Sequence, residues 1–205
     1  MNSANPLTPE ARVEDVRSAV ERLYAAHDLP CRFRLTPLAH PDADAALADA
    51  GYEVADPSFT MVVPLPPVRA DPALTLADRP SPDWLERVAP LHGRSAAAHA
   101  VQARLLAGIP GPMALAMLDE GTGPIASGYA SVGEGRAQLS DVMVAPTARG
   151  RGVGRRLVTG LLAWAHAQGC REAMLQVLAA NTVARRLYAS IGFVDAYPYH
   201  YRVRR

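Results

Sequence analysis

The chain has 205 residues, of which 49% are hydrophobic and 20% charged, and its formal net charge is +1. That balance suits a folded protein rather than a disordered one, and so small a net charge supplies no general field to recruit nucleic acid or an acidic membrane. No apolar run approaches the roughly 18 residues of a membrane span, and the first thirteen residues, with Glu10 and Arg12 and no apolar centre, do not read as a secretory signal.

In chain order, residues 9 to 27 read as a helix, with Thr8 as cap, Pro9 in the first turn and Val13, Val16, Val20, Leu23 and Tyr24 as its apolar stripe. Cys31 to Leu35 alternates as a strand does. Pro41 to Ala50 is a short helix closed by Gly51, and Tyr52 to Ala55 and Phe59 to Leu65 are two strands. Pro64 to Pro72 holds four prolines in nine residues, an extended connector. A boundary there divides the chain into residues 1–70 and 71–205. Beyond it come a strand at Leu74 to Leu76, helices at Pro82 to Leu91 (capped by Ser81) and Ser95 to Leu106, and strands at Met113 to Leu118, Ile125 to Val132 and Ala137 to Val144. A helix from Val153 to His166, a strand at Ala173 to Leu178, a helix at Thr182 to Ser190 and strands at Phe193 to Ala196 and Tyr199 to Val203 complete it.

The first part resembles the last. Leu47 to Val62 lines up without a gap on Tyr188 to Val203, matching Gly51 to Gly192, Tyr52 to Phe193 and Pro57 to Pro198. Leu47 stands where Tyr188 does, and His40 where Asn181 does. The first copy has no glycine turn, and it reads as structural.

That turn, Arg149-Gly-Arg-Gly-Val-Gly-Arg-Arg156, joins a buried strand to a helix. Gly150, Gly152 and Gly154 let a ligand approach the backbone. The first amides of a helix lack internal partners and sit at the positive end of its dipole, so the turn is an anion site, to which Arg149, Arg151, Arg155 and Arg156 add charge. It is not a nucleotide-hydrolase loop, because the chain contains no lysine, and its glycine spacing does not fit a dinucleotide fold.

Arg149-x-x-Gly152-x-Gly154 is followed, twenty-seven residues after Gly154, by Asn181-x-x-Ala184-x-x-Leu187-Tyr188-x-x-x-Gly192-Phe193. Together these resemble the GCN5-related N-acetyltransferases, over residues 72 to 205. The resemblance implies an α/β (α+β) fold with a mixed central sheet flanked by helices, here preceded by a smaller, degenerate αβαββ half domain. It implies acetyl-CoA as co-substrate. The amides of Gly152, Val153, Gly154 and Arg155, with Gly150, Arg149 and Arg151, would hold the pyrophosphate, and Asn181 would contact the cofactor. A bulge or splay in the fourth strand of the fold would free an amide for the thioester oxygen, at Val144 with Met143 beside it. Tyr188 falls where the family places the acid for the departing thiolate.

The base is read from position. Asp141 lies on the strand entering the turn, and alternation puts it with Met143 on one side and Val142 with Val144 on the other. A solvent-facing Asp141 is an equal alternative. His200 could line the acceptor pocket or lie on the surface, Glu134 sits in a hairpin turn, and Tyr129 and His99 are outside candidates.

The expected activity is acetyl transfer from acetyl-CoA to a primary amine of a small molecule or peptide, by direct attack in a ternary complex. The rival is a non-catalytic acyl-CoA-binding module, and a nucleic-acid module is more distant. Cys31 and Cys170 follow no metal spacing and the six histidines form no ligand motif, so no metal is expected. Cysteine usage suggests a reduced, cytoplasmic protein, and the oligomeric state is left open between monomer and homodimer.

Overall fold

The computed structural model describes residues 3–65, 67, 71–93, 95–121 and 123–204. Its elements are α1 (Val13–Ala25), β1 (Cys31–Leu35), α2 (Ala43–Asp49), β2 (Glu53–Pro64), β3 (Leu74–Ala77), α3 (Pro82–His92), α4 (Ala96–Ala107), β4 (Met113–Asp119), β5 (Pro124–Gly133), β6 (Arg136–Val144), a 3-10 turn (Pro146–Ala148), α5 (Val153–Ala167), β7 (Glu172–Leu178), α6 (Thr182–Ile191) and β8 (Val194–Arg204). The strands form one sheet in the order β1-β8-β2-β7-β6-β5-β4-β3. The β3-β4, β4-β5, β5-β6 and β1-β8 pairs are antiparallel and β6-β7 is parallel, so the sheet is mixed.

Three boundaries differ from the sequence expectation. The first helix begins at Val13, after Arg12, which makes no side-chain cap; residues 8–11 are held instead by a turn in which the Ala11 amide donates to the Thr8 carbonyl. Only Val13 and Tyr24 of its stripe are buried, while Val16 and Leu23 are 46% and 59% exposed. The two strands expected on either side of Asp56-Pro57 are one strand, β2, and those on either side of Pro198 are one strand, β8. A proline removes a donor but leaves its carbonyl, so it can sit in a strand where no amide is needed. Asp56 takes a left-handed φ of 49° before Pro57, an irregularity inside β2 rather than a turn. Parts of the proline-rich connector, at residues 66 and 68–70, and the last of the C-terminal arginines, residue 205, lie outside the described residues.

Two compact units divide the chain, and each takes residues from several stretches. One comprises residues 1–61, 177–185 and 195–205; the other, residues 62–176 and 186–194. In the first unit, Phe33, Leu35, Leu47 and Tyr52 form the centre of a core closed by α1 and α2. The edge of that core is polar. Arg202 grips Asp44 with two nitrogens, at 2.8 and 2.9 Å, and His200 meets the same carboxylate at 2.6 Å, so His200 is committed to α2. In the second unit, Trp84 and Val88 of α3 and Leu106 of α4 pack on Met113, Leu115 and Met117 of β4. The long helix α5 contacts β4, β5 and β6 and buries Leu157, Val158, Leu161 and Leu162.

The bonds from Arg202, then His200, lower Asp44 to about 2 from an ordinary 3.8. A carboxyl depressed in the folded state stabilises the fold above its unfolded pKa and loses that contribution as pH falls through the folded one. The stability gap between wild type and Asp44→Asn, measured by urea unfolding, is therefore expected to be widest above pH 4 and to close as pH drops towards 2.

Candidate functional site

β6 is the strand from which the site is built. Its parallel ladder with β7 pairs Arg136–Gln138 with Glu172–Met174 and stops there. On its other edge the ladder with β5 continues to Val144, paired with Ala126, and the Ala145 amide donates to the Ile125 carbonyl at 2.8 Å. Amides alternate in direction along a strand. With Ala145 N–H directed at β5, the Val144 N–H points the other way, towards the side where the β7 ladder has ended. The Val144 carbonyl on that side accepts Nε of Arg149 at 3.3 Å.

The β5–β6 ladder is itself broken. Ser127 faces Met143 and Tyr129 faces Ser140, so Gly128 alone stands opposite both Asp141 and Val142. This is a β-bulge, with Asp141 in the left-handed region at φ 56°; aspartate tolerates that region better than most residues. Val142 falls towards α5: a Cβ built on Gly128 would meet Val142 Cα at 3.3 Å and Leu157 Cδ2 at 3.5 Å. Asp141 goes to the α3–α4 side, where Gln102 Nε2 donates to its Oδ2 at 2.6 Å and His92 Nδ1 lies 3.6 Å from the same oxygen. On its other nitrogen, His92 Nε2 is 3.1 Å from Ser127 Oγ. Asp141 is thus a partly covered carboxylate in a polar cluster, 18% exposed, and not a strand residue turned to solvent.

The glycine turn has the backbone that its sequence asks for. Gly150 and Gly152 have φ of 75° and 76°, and Gly152 precedes the first residue of α5 without any side-chain cap, leaving the first amides of the helix to another partner. Gly154 is needed for packing as well, since a Cβ there would come 3.0 Å from Leu187 of α6 and 3.5 Å from Val144. The arginines are more committed than charge alone suggests. Arg151 pairs with Glu120 at 2.7 Å, Arg156 with Asp71 at 2.6 Å, and Arg155 donates to the carbonyl and hydroxyl of Ser190. Nη2 of Arg155 is thus tied to Ser190, while its amide belongs to the uncapped first turn of α5.

The family model described as "Probable histone acetyltransferase Rv0428c C-terminal" matches residues 1–203. The chain belongs to this acetyltransferase family, within the GCN5-related N-acetyltransferases. A Bacillus subtilis (strain 168) relative, the uncharacterized N-acetyltransferase YobR, is 28% identical over 93% of this chain and 80% of its own. A GCN5-related N-acetyltransferase from Sphaerobacter thermophilus superposes with a TM-score of 0.68 at 19% identity, covering 92% of this chain; the chain spans 66% of that protein's length. A tandem GNAT protein from the clavulanic acid biosynthesis pathway, solved without acetyl-CoA, gives a TM-score of 0.68 at 17% identity, over 93% of this chain and 68% of its own.

Two more of the residues singled out for this acetyltransferase lie on α6. Asn181 caps it, its Oδ1 accepting from the Ala184 amide at 3.1 Å. Tyr188 is 7% exposed, its ring edge-on to Phe193 at 5.7 Å, and desolvation raises its hydroxyl above the ordinary 10. Sequence reasoning missed His92 and Gln102. The histidine gave only a weak signal, a titratable residue just before a Gly that ends a helix (Gly93, φ 56°). Among the described residues no group of three or more His, Cys, Asp or Glu could hold a metal, and no helix is long and apolar enough to cross a membrane. Cavities of about 510 Å³, bordered by Leu35, Asp44 and His200, and about 570 Å³, bordered by Val63, Arg155 and Arg171, do not include Asp141, Gly152 or Tyr188 in their walls.

Because Gly128 makes room for the bulge, Gly128→Ala should push Val142 and carry Asp141 with it. The expected loss is about 1–3 kcal/mol, the usual range for overpacking, read as a lower urea midpoint; an unchanged midpoint would show that the strand can move aside freely.

Proposed function

We propose that this acetyltransferase moves the acetyl group of acetyl-CoA to a primary amine of a small molecule or peptide, by direct attack within a ternary complex. The observation that carries this is the Val144 amide turned to the open side of β6, one turn of chain from the uncapped start of α5. A thioester oxygen accepting from Val144, beside Met143, gains a positioned donor as negative charge develops on it. The amides of Gly152, Val153, Gly154 and Arg155 would take the pyrophosphate, with Gly150 allowing its approach and Arg149 and Arg151 supplying charge. Asn181 Oδ1 is used by its helix, which leaves its amide nitrogen for the cofactor. Holding both reactants together supplies much of the rate, since effective molarities for oriented groups reach about 10⁵ M or more.

Asp141 would accept the proton of the incoming amine, and Tyr188 would protonate the departing sulfur. A hydroxyl whose pKa is raised by burial stays protonated through the neutral range, as an acid must. Cys31 and Cys170 are free and buried, and burial raises both thiols, so neither suits a covalent acyl carrier. Buried free thiols also fit a reducing compartment, the cytoplasm.

We infer further that the first half-fold is a degenerate copy of the second. The support is the matching order α1-β1-α2-β2 and α5-β7-α6-β8, with a proline inside each final strand (Pro57 and Pro198). In the first copy Leu47, fully buried, occupies the place of Tyr188 and offers no hydroxyl. One catalytic site per chain follows, in the 71–205 part, with 1–70 in a supporting role.

Thiol release across amino acids, polyamines, aminoglycosides and peptide amines tests the activity. Turnover with at least one class is expected, with Tyr188→Phe lowering kcat on the order of 10²-fold, the scale of general acid catalysis, while acetyl-CoA still binds by calorimetry. Tight acetyl-CoA binding with no turnover in any class would instead make the protein a cofactor-binding module.

A further inference from the structure

A carboxylate is a poor base for an amine by itself, because its ordinary pKa lies several units below that of an amine. An imidazole is better matched to neutral pH, and one stands directly behind Asp141. His92 is the last residue of the eleven-residue helix α3, where Gly93 turns the chain away. Its side chain is 2% exposed, so it does not meet an acceptor itself. Its two nitrogens face Asp141 Oδ2 on β6 and Ser127 Oγ on β5.

We propose that His92 is the proton reservoir of the site, working through Asp141: the proton leaving the acceptor nitrogen passes to the Asp141 carboxylate and on to His92 Nδ1, and Ser127 holds the ring in place. This rests on the acyl-transfer reading above. In the step, the acceptor's N–H bond breaks and its electron pair forms the new C–N bond at the thioester carbon. The C–S bond then breaks, and sulfur takes a proton from Tyr188. The imidazolium and phenolate left behind are reset by exchange with water. No oxidant, metal or covalent carrier is needed.

Three features support this arrangement. Asp141 reaches His92 only because the bulge opposite Gly128 turns it to the α3–α4 side, an arrangement that costs a non-glycine residue a left-handed φ. A positive ring at the C-terminal end of α3 lies at the negative end of the helix dipole, beside a carboxylate. The 3.6 Å between Nδ1 and Oδ2 places ring and carboxylate within the reach of an ion pair. Ser127 completes a Ser-His-Asp chain, yet it is fully buried and so is no nucleophile. Other groups on the elements facing α3 are Tyr129 on β5, packed by the Trp84 cluster, and Gln102 and His99 on α4, beside Asp141 at the ring.

His92 is a positioning and relay residue, so its test separates chemistry from folding. His92→Gln keeps a polar side chain for Ser127. It should bind acetyl-CoA as wild type does, leave the KM for acetyl-CoA unchanged, lower kcat at pH 7 by about 10² or more, and lose the rising limb of kcat/KM through the neutral range. Asp141→Asn should produce a similar loss. The double variant should be little worse than either single one, because both belong to one route. In a labelled-histidine NMR titration, the His92 ring should titrate at lower pH in Asp141→Asn than in wild type. If wild type turns over and His92→Gln stays within twofold with the same pH profile, or if the ring's titration ignores Asp141→Asn, the relay is wrong and the acyltransferase stands. If wild type turns over no amine, the acyl-transfer reading fails and takes the relay with it.

Discussion

A strand that leaves its neighbour must find other uses for the backbone groups it exposes. β6 pairs with β7 for three residues and then departs, while its opposite edge stays tied to β5. The rest of the site is arranged around that departure. Beyond Gln138 the β7-side amides of β6 face a gap, and the chain then turns into a helix whose own first amides are uncapped. Two rows of donors are therefore presented in succession, one from a strand edge and one from a helix end. In the proposed reading, an extended ligand with a carbonyl at one end and a pyrophosphate further along would meet both.

The bulge works on the same strand in the other direction. A regular β6 would alternate through Ser140, Asp141 and Val142, sending Asp141 to the α5 side with Leu139. The extra residue opposite Gly128 keeps Asp141 on the side of Ser140, towards α3 and α4, and lets Val142 fill the space beside Leu157. Backbone geometry thus decides which helices the carboxylate meets. It also explains why a glycine is required on β5, a strand with no other reason to contain one there.

Much of this was legible in the sequence. The glycine turn and the Asn181 to Phe193 segment are local signals, set by backbone conformation and helix capping, and both were found where the structure has them. The alternation expected over Asp141 to Val144 is what β6 shows, but the break before it, between Ser140 and Asp141, was hidden, because a bulge is a register shift and register belongs to a pair of strands. His92 was invisible for the same reason. Its partners are 35 and 49 residues away on two other strands, and Gln102 comes to Asp141 from a fourth element. The prolines at 57 and 198 misled because a proline's usual meaning is an interruption, and only the sheet shows that the missing donor was not needed. The partners of the arginines were hidden as well: Glu120, Asp71 and Ser190 come to Arg151, Arg156 and Arg155 from elsewhere in the chain.

The pairing of β1 with β8 has a consequence for how the chain comes to its shape. Cys31 to Leu35 finds its partner in His200 to Arg204, and the Asp44 carboxylate is held by Arg202. α1, β1 and α2 therefore wait for β8, which is made much later, before that sheet edge is covered. Such a long loop must be closed against chain entropy, which slows folding. In the interval, Phe33 and Leu35 lie on a strand with an open edge, the condition in which a nascent chain is most prone to pair with the wrong partner.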